Sequence, residues 1–145
     1  MNTAHTFPFM SLHQIHTSPV ANPQGKFRIV HLSRKKAETK LVIITKYEVF
    51  AIPFTDILYC EAQNNYTMVY CREGKKILCS RTLKNISESL HDGSFLRIHK
   101  TYLVKESEIK LFQKQTNEIV LTGQIILPVS RSRRQEVISS FLRMN

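Results

Sequence analysis

The sequence is short of acidic residues, and this shortage narrows the possible partners. Eleven Asp and Glu stand against 21 Lys and Arg, so the 145-residue chain has a formal net charge of +10 and an isoelectric point near 9.8. The acids are scattered, with no carboxylate pair at metal-binding spacing and no Ser/His/Asp or Cys/His set that suggests catalysis. We predict a non-enzymatic protein without metal or cofactor. Its charge favours nucleic acid, an anionic membrane surface or an acidic protein as partner.

Cysteine pairs and long hydrophobic runs are also missing. The three cysteines, Cys60, Cys71 and Cys79, form no CxxC pair, which excludes a zinc or disulfide framework. Each lies in an apolar run, so we predict three small buried hydrophobes in a reducing compartment. No segment approaches the roughly 20 apolar residues of a membrane span, and the N-terminus does not resemble a signal peptide. We therefore predict a cytoplasmic protein without a membrane partner.

The positive charge is concentrated in two blocks. Residues 26–40 contain six Lys and Arg against one acid, residues 94–145 contain nine against four, and residues 41–93 are balanced. Such blocks are typical of a docking face with a basic arm.

The sequence also predicts a domain boundary near residue 40. Residues 1–25 combine several prolines with almost no charge, which is typical of a loose terminus. We predict that residues 1–40 form a flexible tail and a basic linker, with a possible short strand at 27–32. The folded domain then covers residues 41–145.

Short β-branched and aromatic runs separated by turn signals fill this domain. The predicted strands are LVIIT, EVFAI, residues 57–62, YTMVYC, KKILCS, EIKLF, EIVLT and QIILPV. One helix begins after Thr82, with Leu83, Ile86 and Leu90 on one face, and Gly93 ends it. A second helix runs from Ser130 or Ser132 to Leu142. The pattern predicts a mainly β fold with one or two short helices.

Two segments contain cations where the stability of the fold alone would not require them. In FLRIHKTYLV, residues 95–104, Arg97, His99 and Lys100 interrupt an apolar stretch, so we predict a bend near 99–101 that points Lys100 outward. The last helix begins with three arginines at the positive end of its dipole, where acids are favoured by about 0.3–1 kcal/mol each. Arginines beside free backbone N–H groups form a contact site for phosphates or base edges.

Taken in order, the segments DILYCEAQNNYTMVY, RTLKNISESL, FLRIHKTYLV and LPVSRSRRQEV resemble the LytTR family of bacterial DNA-binding domains over about residues 41–143. The resemblance implies an elongated stack of antiparallel β-sheets that binds DNA through loops and element ends, in agreement with the absence of a helix-turn-helix pattern. Lys105 stands where the family often has Asn, which adds charge and removes one local hydrogen bond. The 40 preceding residues are too few for a receiver domain, so no phosphorylation switch is expected.

The resemblance also implies three contact regions: the loop after the Glu61 strand, the turn at residues 97–100 and the start of the last helix. Asn can pair with adenine and Arg with guanine or phosphate. The implied base contacts are Asn64, Asn65, Thr67, Lys100 and Arg133. The implied DNA backbone or supporting contacts are Tyr66, Arg97, His99, Arg131 and Arg134.

Several alternatives stay open at the level of sequence. Asn64 and Asn65 are favoured turn residues in any protein, Tyr66 could be partly core, and His99 could be a structural histidine. The sequence favours a transcriptional regulator that binds specific double-stranded DNA, at paired repeats and as a homodimer on DNA. An RNA-binding β module that stacks bases on Tyr66, Tyr70 and Phe112 is one alternative. A protein-docking domain without DNA binding is another.

Overall fold

The computed structural model describes residues 19–21, 27–29 and 39–144. The chain divides into two units, Met1–Ala37 and Glu38–Asn145. In the first unit, strand β1 (Pro19–Ala21), which the sequence does not predict, pairs antiparallel with β2 (Phe27–Ile29). The remaining predictions for the tail and the basic linker lie outside the described residues.

The second unit is mainly β, as predicted, with three antiparallel sheets and two helices. Its strands are β3 (Lys40–Ile44), β4 (Val49–Pro53), β5 (Ile57–Gln63), β6 (Tyr66–Cys71), β7 (Lys76–Cys79), β8 (Phe95–Arg97), β9 (Tyr102–Lys105), β10 (Ile109–Gln113), β11 (Glu118–Leu121) and β12 (Ile125–Pro128). Its helices are α1 (Leu83–Ser89) and α2 (Arg134–Arg143), and the 3-10 turn Arg131–Arg133 precedes α2. No helix among the described residues is long and apolar enough to cross a bilayer.

A five-stranded sheet forms the middle layer of this unit, with strand order β7-β6-β5-β9-β8. Successive side chains of a strand point to opposite faces, so neighbouring residues enter different cores. Cys60 and Leu103 pack with the β3–β4 hairpin and α1 on one face. Tyr59 and Val104 pack with the sheet β10-β11-β12 and α2 on the other. The predicted stack of antiparallel sheets is therefore confirmed.

Helix α1 follows its sequence signals closely. The hydroxyl oxygen of Thr82 accepts the backbone N–H of Asn85 at 3.3 Å, which is the expected N-cap. Leu83, Ile86 and Leu90 are all buried in the first core. The apolar face therefore fixes α1 against the sheet and leaves its polar face available to solvent.

The three cysteines and Lys105 lie inside the unit. Cys60, Cys71 and Cys79 are free and buried, as predicted, and burial raises the pKa of the Cys60 thiol. Lys105 is also buried, and its ammonium group donates to the carbonyl oxygen of Phe54 at 2.7 Å. Burial lowers the pKa of Lys105. The charge that Lys105 adds is thus held inside the fold.

Candidate nucleic-acid interface

Two predicted contact regions lie at the same end of the five-stranded sheet. Glu61 of β5 is opposite Met68 of β6 on one side and Tyr102 of β9 on the other. Since these pairings are antiparallel, the β5–β6 turn and the β8–β9 turn both lie beside the C-terminal end of β5. The backbone N–H of Ala62, near the C-terminal end of β5, donates to the carbonyl oxygen of Thr101 at 2.8 Å and attaches the β8–β9 turn to the strand that leads into the β5–β6 turn.

The third predicted region, the start of the last helix, is attached to the β8–β9 turn. The backbone N–H of Ser130 donates to the carbonyl oxygen of Ile98 at 2.9 Å, and the Ser130 hydroxyl lies 3.4 Å from the same oxygen. Ser130 immediately precedes the 3-10 turn Arg131–Arg133. The fold therefore brings segments more than 30 residues apart in the chain to one place.

These segments and α1 surround a surface depression of about 560 Å³, which we call the basic depression. It is lined by Lys84, Ser87, Glu88, Arg97, His99, Lys100, Ser130, Ser132 and Arg133. Four of these residues are Lys or Arg and one is acidic, so the depression favours a polyanion. Four residues predicted from the sequence meet in it: Arg97, His99, Lys100 and Arg133.

Arg97 holds the turn together. Its Nε donates to the carbonyl oxygen of His99 at 2.7 Å, and its Nη2 donates to the carbonyl oxygen of Lys100. Burial, and to a lesser degree the nearby Arg133, lowers the pKa of Arg97. The guanidinium thus braces the bend from inside, which makes Arg97 a supporting residue.

His99 and Lys100 form the bend that the sequence predicts. The His99 ring nitrogen Nδ1 accepts the backbone N–H of Thr101 at 3.2 Å and lies 2.6 Å from the Thr101 hydroxyl oxygen. An accepting Nδ1 places the proton of the neutral ring on Nε2, which leaves Nε2–H as the donor that His99 can offer to a ligand. The Lys100 side chain is exposed, and its ammonium group has no partner within the part of the chain that the structure describes. The bend therefore presents Lys100 to an incoming ligand.

The β5–β6 turn lies at the same sheet end but does not line the basic depression. Asn64, Asn65 and Tyr66 are exposed, so Tyr66 is not part of the core. Asn64 adopts a φ of 55°, a left-handed conformation that Asn tolerates better than most residues. Asn64 is therefore a turn residue, and its side chain is also exposed.

Thr67 lies at a different place from the one that the sequence predicts. Its side chain is fully buried, and its hydroxyl donates to the carbonyl oxygen of Arg81 at 2.8 Å. A side chain in that position has no surface to offer a base. We therefore correct the prediction for Thr67: it holds the segment before α1 from inside the sheet.

The three arginines before and in α2 point to different surroundings. Arg133 lines the depression and forms an exposed ion pair with Glu136 at 2.8 Å, a type of pair worth only about 0–1 kcal/mol that a phosphate can replace. Arg131 is exposed. Arg134 instead donates to the side-chain oxygen of Asn117 at 3.0 Å and lies over the Phe112 ring. Arg134 therefore fastens α2 to the β10–β11 hairpin and acts as a support.

Lys84 is the one cation of the basic depression that the sequence does not point to. It lies on the polar face of α1 and forms part of the wall of the basic depression. The sequence pattern of α1 identifies only its core residues, because a lysine on the polar face of a helix is usually just solvated. Its position shortly after the Thr82 cap is the one available signal, and it is a weak one.

Fold and site together define a β-sheet module that carries a positively charged turn and a positively charged helix start at one end of its central sheet. The family model of the LytTr DNA-binding domain matches residues 47–141, and the chain belongs to this family. A similar solved structure is the LytTr DNA-binding domain of a methyl-accepting/DNA response regulator from Bacillus cereus, with a TM-score of 0.61 and 21% sequence identity. The alignment covers 71% of this chain and 96% of that chain. The resemblance deduced from the sequence motifs is confirmed.

Proposed function

We propose that the chain recognises particular sequences in double-stranded DNA and thereby regulates transcription. The observation that supports this most directly is the basic depression, in which three separate segments bring four Lys and Arg side chains together at one end of the five-stranded sheet, and in which a backbone hydrogen bond from Ser130 to Ile98 joins two of these segments. Several preorganised contacts on a rigid scaffold are what recognition of a DNA sequence requires. The role is one of binding, not catalysis.

The contacts divide by chemistry into phosphate binding and base reading. Lys84, Lys100 and Arg131 are exposed cations suited to phosphates, which provide affinity without sequence information. Lys100 also has the reach and charge to donate to guanine. Arg133 can form two hydrogen bonds with guanine, and Asn64 or Asn65 with adenine, each pair worth about 1–3 kcal/mol of discrimination.

The proposed target consists of paired repeats, each bound by one copy of the chain, with a homodimer formed on DNA. The basic depression and the adjacent β5–β6 turn on each chain support one repeat per copy. In this role the protein acts at the nucleoid in the cytoplasm, without a membrane partner.

Selection of binding sites from genomic duplex fragments, repeated at two salt concentrations, tests this proposal. We expect enrichment of a repeated motif and a steep loss of affinity at the higher salt, because bound Lys and Arg release counterions from DNA. Equal retention of all fragments would contradict sequence-specific binding.

Competition with an unpaired RNA of equal length separates the proposal from the RNA-binding alternative. Tyr70 is stacked on Tyr59, with ring centroids 4.2 Å apart, and Phe112 is half-buried beneath Arg134. Of the three aromatic residues considered for base stacking, only Tyr66 is exposed. We therefore expect duplex DNA to displace the RNA, and stronger binding of the RNA would favour the alternative.

A further inference from the structure

A single carboxylate in β5 joins both neighbouring strands close to the DNA-facing turns. Glu61 accepts the hydroxyl of Tyr70 in β6 on Oε2 at 2.7 Å and the hydroxyl of Tyr102 in β9 on Oε1 at 3.1 Å. A carboxylate at this end of the sheet would repel approaching phosphates. Because both of its oxygens accept hydrogen bonds from tyrosines of the sheet, its function lies in these contacts within the protein.

Both phenols are held as hydrogen-bond donors. The hydrogen bond to Glu61, more than burial, raises the pKa of Tyr70, while burial, more than Glu61, raises the pKa of Tyr102. The Tyr70 ring is further fixed by stacking on Tyr59 with an interplanar angle of 10°. The carboxylate thus has one firmly anchored partner in β6 and one partner in β9.

Tyr102 transmits this anchoring to the bend that presents Lys100. Its backbone N–H donates to the carbonyl oxygen of His99 at 3.3 Å, and its own carbonyl oxygen accepts the backbone N–H of Ile98 at 3.2 Å. Its ring lies 5.9 Å from the His99 ring. A displacement of Tyr102 would therefore displace the bend.

We propose that Glu61 is a positioning residue for DNA recognition. Through Tyr102 it fixes the orientation of residues 98–101 and thereby the spacing between Lys100 and Arg133. The consequence for DNA rests on the function proposed above, whereas the ordering of the bend is a property of the free protein. Glu61 itself contacts neither a base nor a phosphate.

The test compares the full chain with the variants Tyr102→Phe and Glu61→Gln. Tyr102→Phe removes one hydroxyl, and Glu61→Gln keeps the size of the side chain but only one acceptor oxygen. Tyr47→Phe is the matched control, because Tyr47 is 83% exposed in the β3–β4 turn, outside this network. Two quantities are measured: the 15N relaxation of the amides of residues 98–101 without DNA, and the affinities for a selected and a random duplex.

We expect both variants, but not Tyr47→Phe, to increase the mobility of the bend. We also expect them to reduce the ratio of selected to random affinity by about tenfold, as the loss of a hydrogen bond to a charged group would. The salt slope should change by less than one, because Lys84 and Arg131 lie outside the bend and keep their phosphate contacts. A bend as ordered as in the unchanged protein would overturn the proposal. An equal loss of affinity for both duplexes, in proportion to the fall in melting temperature, would also overturn it, because such a loss indicates a merely structural role.

The two measurements also separate this proposal from the proposed function. If the unchanged chain does not distinguish the duplexes, sequence-specific binding fails, together with the effect of Glu61 on recognition. If the unchanged chain does distinguish them and both variants distinguish them equally well, only the positioning role fails. Should Tyr102→Phe not fold, Glu61→Gln with its intact tyrosines provides the same comparison.

Discussion

At the scale of single residues, the cations of the interface have different structural roles, which cannot be predicted from residue type alone. Arg97 is bound to two carbonyl oxygens of its own turn, whereas Lys100 extends into solvent. The sequence predicts the bend because Arg97, His99 and Lys100 interrupt an apolar stretch. It also predicts that Lys100 points outward, but not that Arg97 turns inward, because the position of Arg97 depends on carbonyl oxygens that the bend itself brings together.

Arg133→Ala is expected to flatten discrimination between DNA sites. Arg133 is the arginine of the basic depression best placed for a base edge, and losing one such contact costs about 1–3 kcal/mol on the selected duplex. Binding to a random duplex should change much less. Titration of both duplexes by fluorescence anisotropy measures the ratio.

The matched control for this prediction is Arg143→Ala. Arg143 lies at the C-terminal end of α2, the helix that follows Arg133, and also forms an exposed ion pair, with Glu106 at 2.9 Å, but it does not line the basic depression. Equal losses on the selected and random duplexes for Arg133→Ala would remove Arg133 from the base-reading residues.

Lys84→Ala tests the residue that only the structure identifies. Because Lys84 is proposed to contact a phosphate, its removal should lower the affinity for every duplex alike. It should also reduce the salt slope, which is the slope of log affinity against log salt concentration, by about one. Lys110→Ala, a change at an exposed lysine of β10 outside the depression, should leave the slope unchanged. A Lys84→Ala protein with an unchanged slope would argue that α1 does not approach DNA.

At the scale of elements, the strands and helices of the second unit follow the sequence closely, but the side of a strand that a residue faces is harder to predict. β6 begins at Tyr66, where the predicted strand YTMVYC also begins. Tyr66 is exposed and Thr67 is buried because successive strand residues face opposite sides. The contact region implied by the resemblance therefore includes one residue, Thr67, that the strand turns inward. The pairing of distant strands, such as β5 with β9, is also beyond local patterns because it depends on contacts made by the whole chain.

Thr67→Val tests the correction for Thr67. Valine fills the same volume but leaves the carbonyl oxygen of Arg81 without its donor, which costs about 1–3 kcal/mol for a buried group. We expect a lower free energy of unfolding in chemical denaturation. The ratio of selected to random affinity should stay the same, and a drop in that ratio without a loss of stability would restore Thr67 as a reader.

Asn64→Gly separates the two roles of the β5–β6 turn. Glycine adopts the φ of 55° without cost, so the turn should persist and the melting temperature should hardly change. The side-chain amide is lost, and we expect weaker discrimination at one adenine position of the site, by about 1–3 kcal/mol. A substitution series of the selected duplex measures this effect position by position.

Gln124→Gly serves as the control for Asn64→Gly. Gln124 also has a positive φ, 63°, but lies in the β11–β12 turn away from the three contact regions. If Asn64→Gly and Gln124→Gly leave the same base preferences as the unchanged chain, Asn64 is only a turn residue.

At the scale of the whole molecule, charge blocks in the sequence are a poor map of the charged surface. Lys84 comes from the stretch that is neutral overall, yet it joins Lys100 and Arg133 in the basic depression. Lys105 and Arg134, from a strongly basic block, instead have partners within the fold. The net charge correctly points to an acidic partner, but only the folded chain defines where that partner binds.

The proposed interface is tested most directly by mapping amide chemical shifts of the full chain as the selected duplex is added. We expect the largest changes at residues 64–66, 97–101 and 130–133 and in the first turn of α1. The β3–β4 turn and the β10–β11 turn should change little. Shifts concentrated on those two turns, or absent from residues 97–101 and 130–133, would contradict the proposed interface.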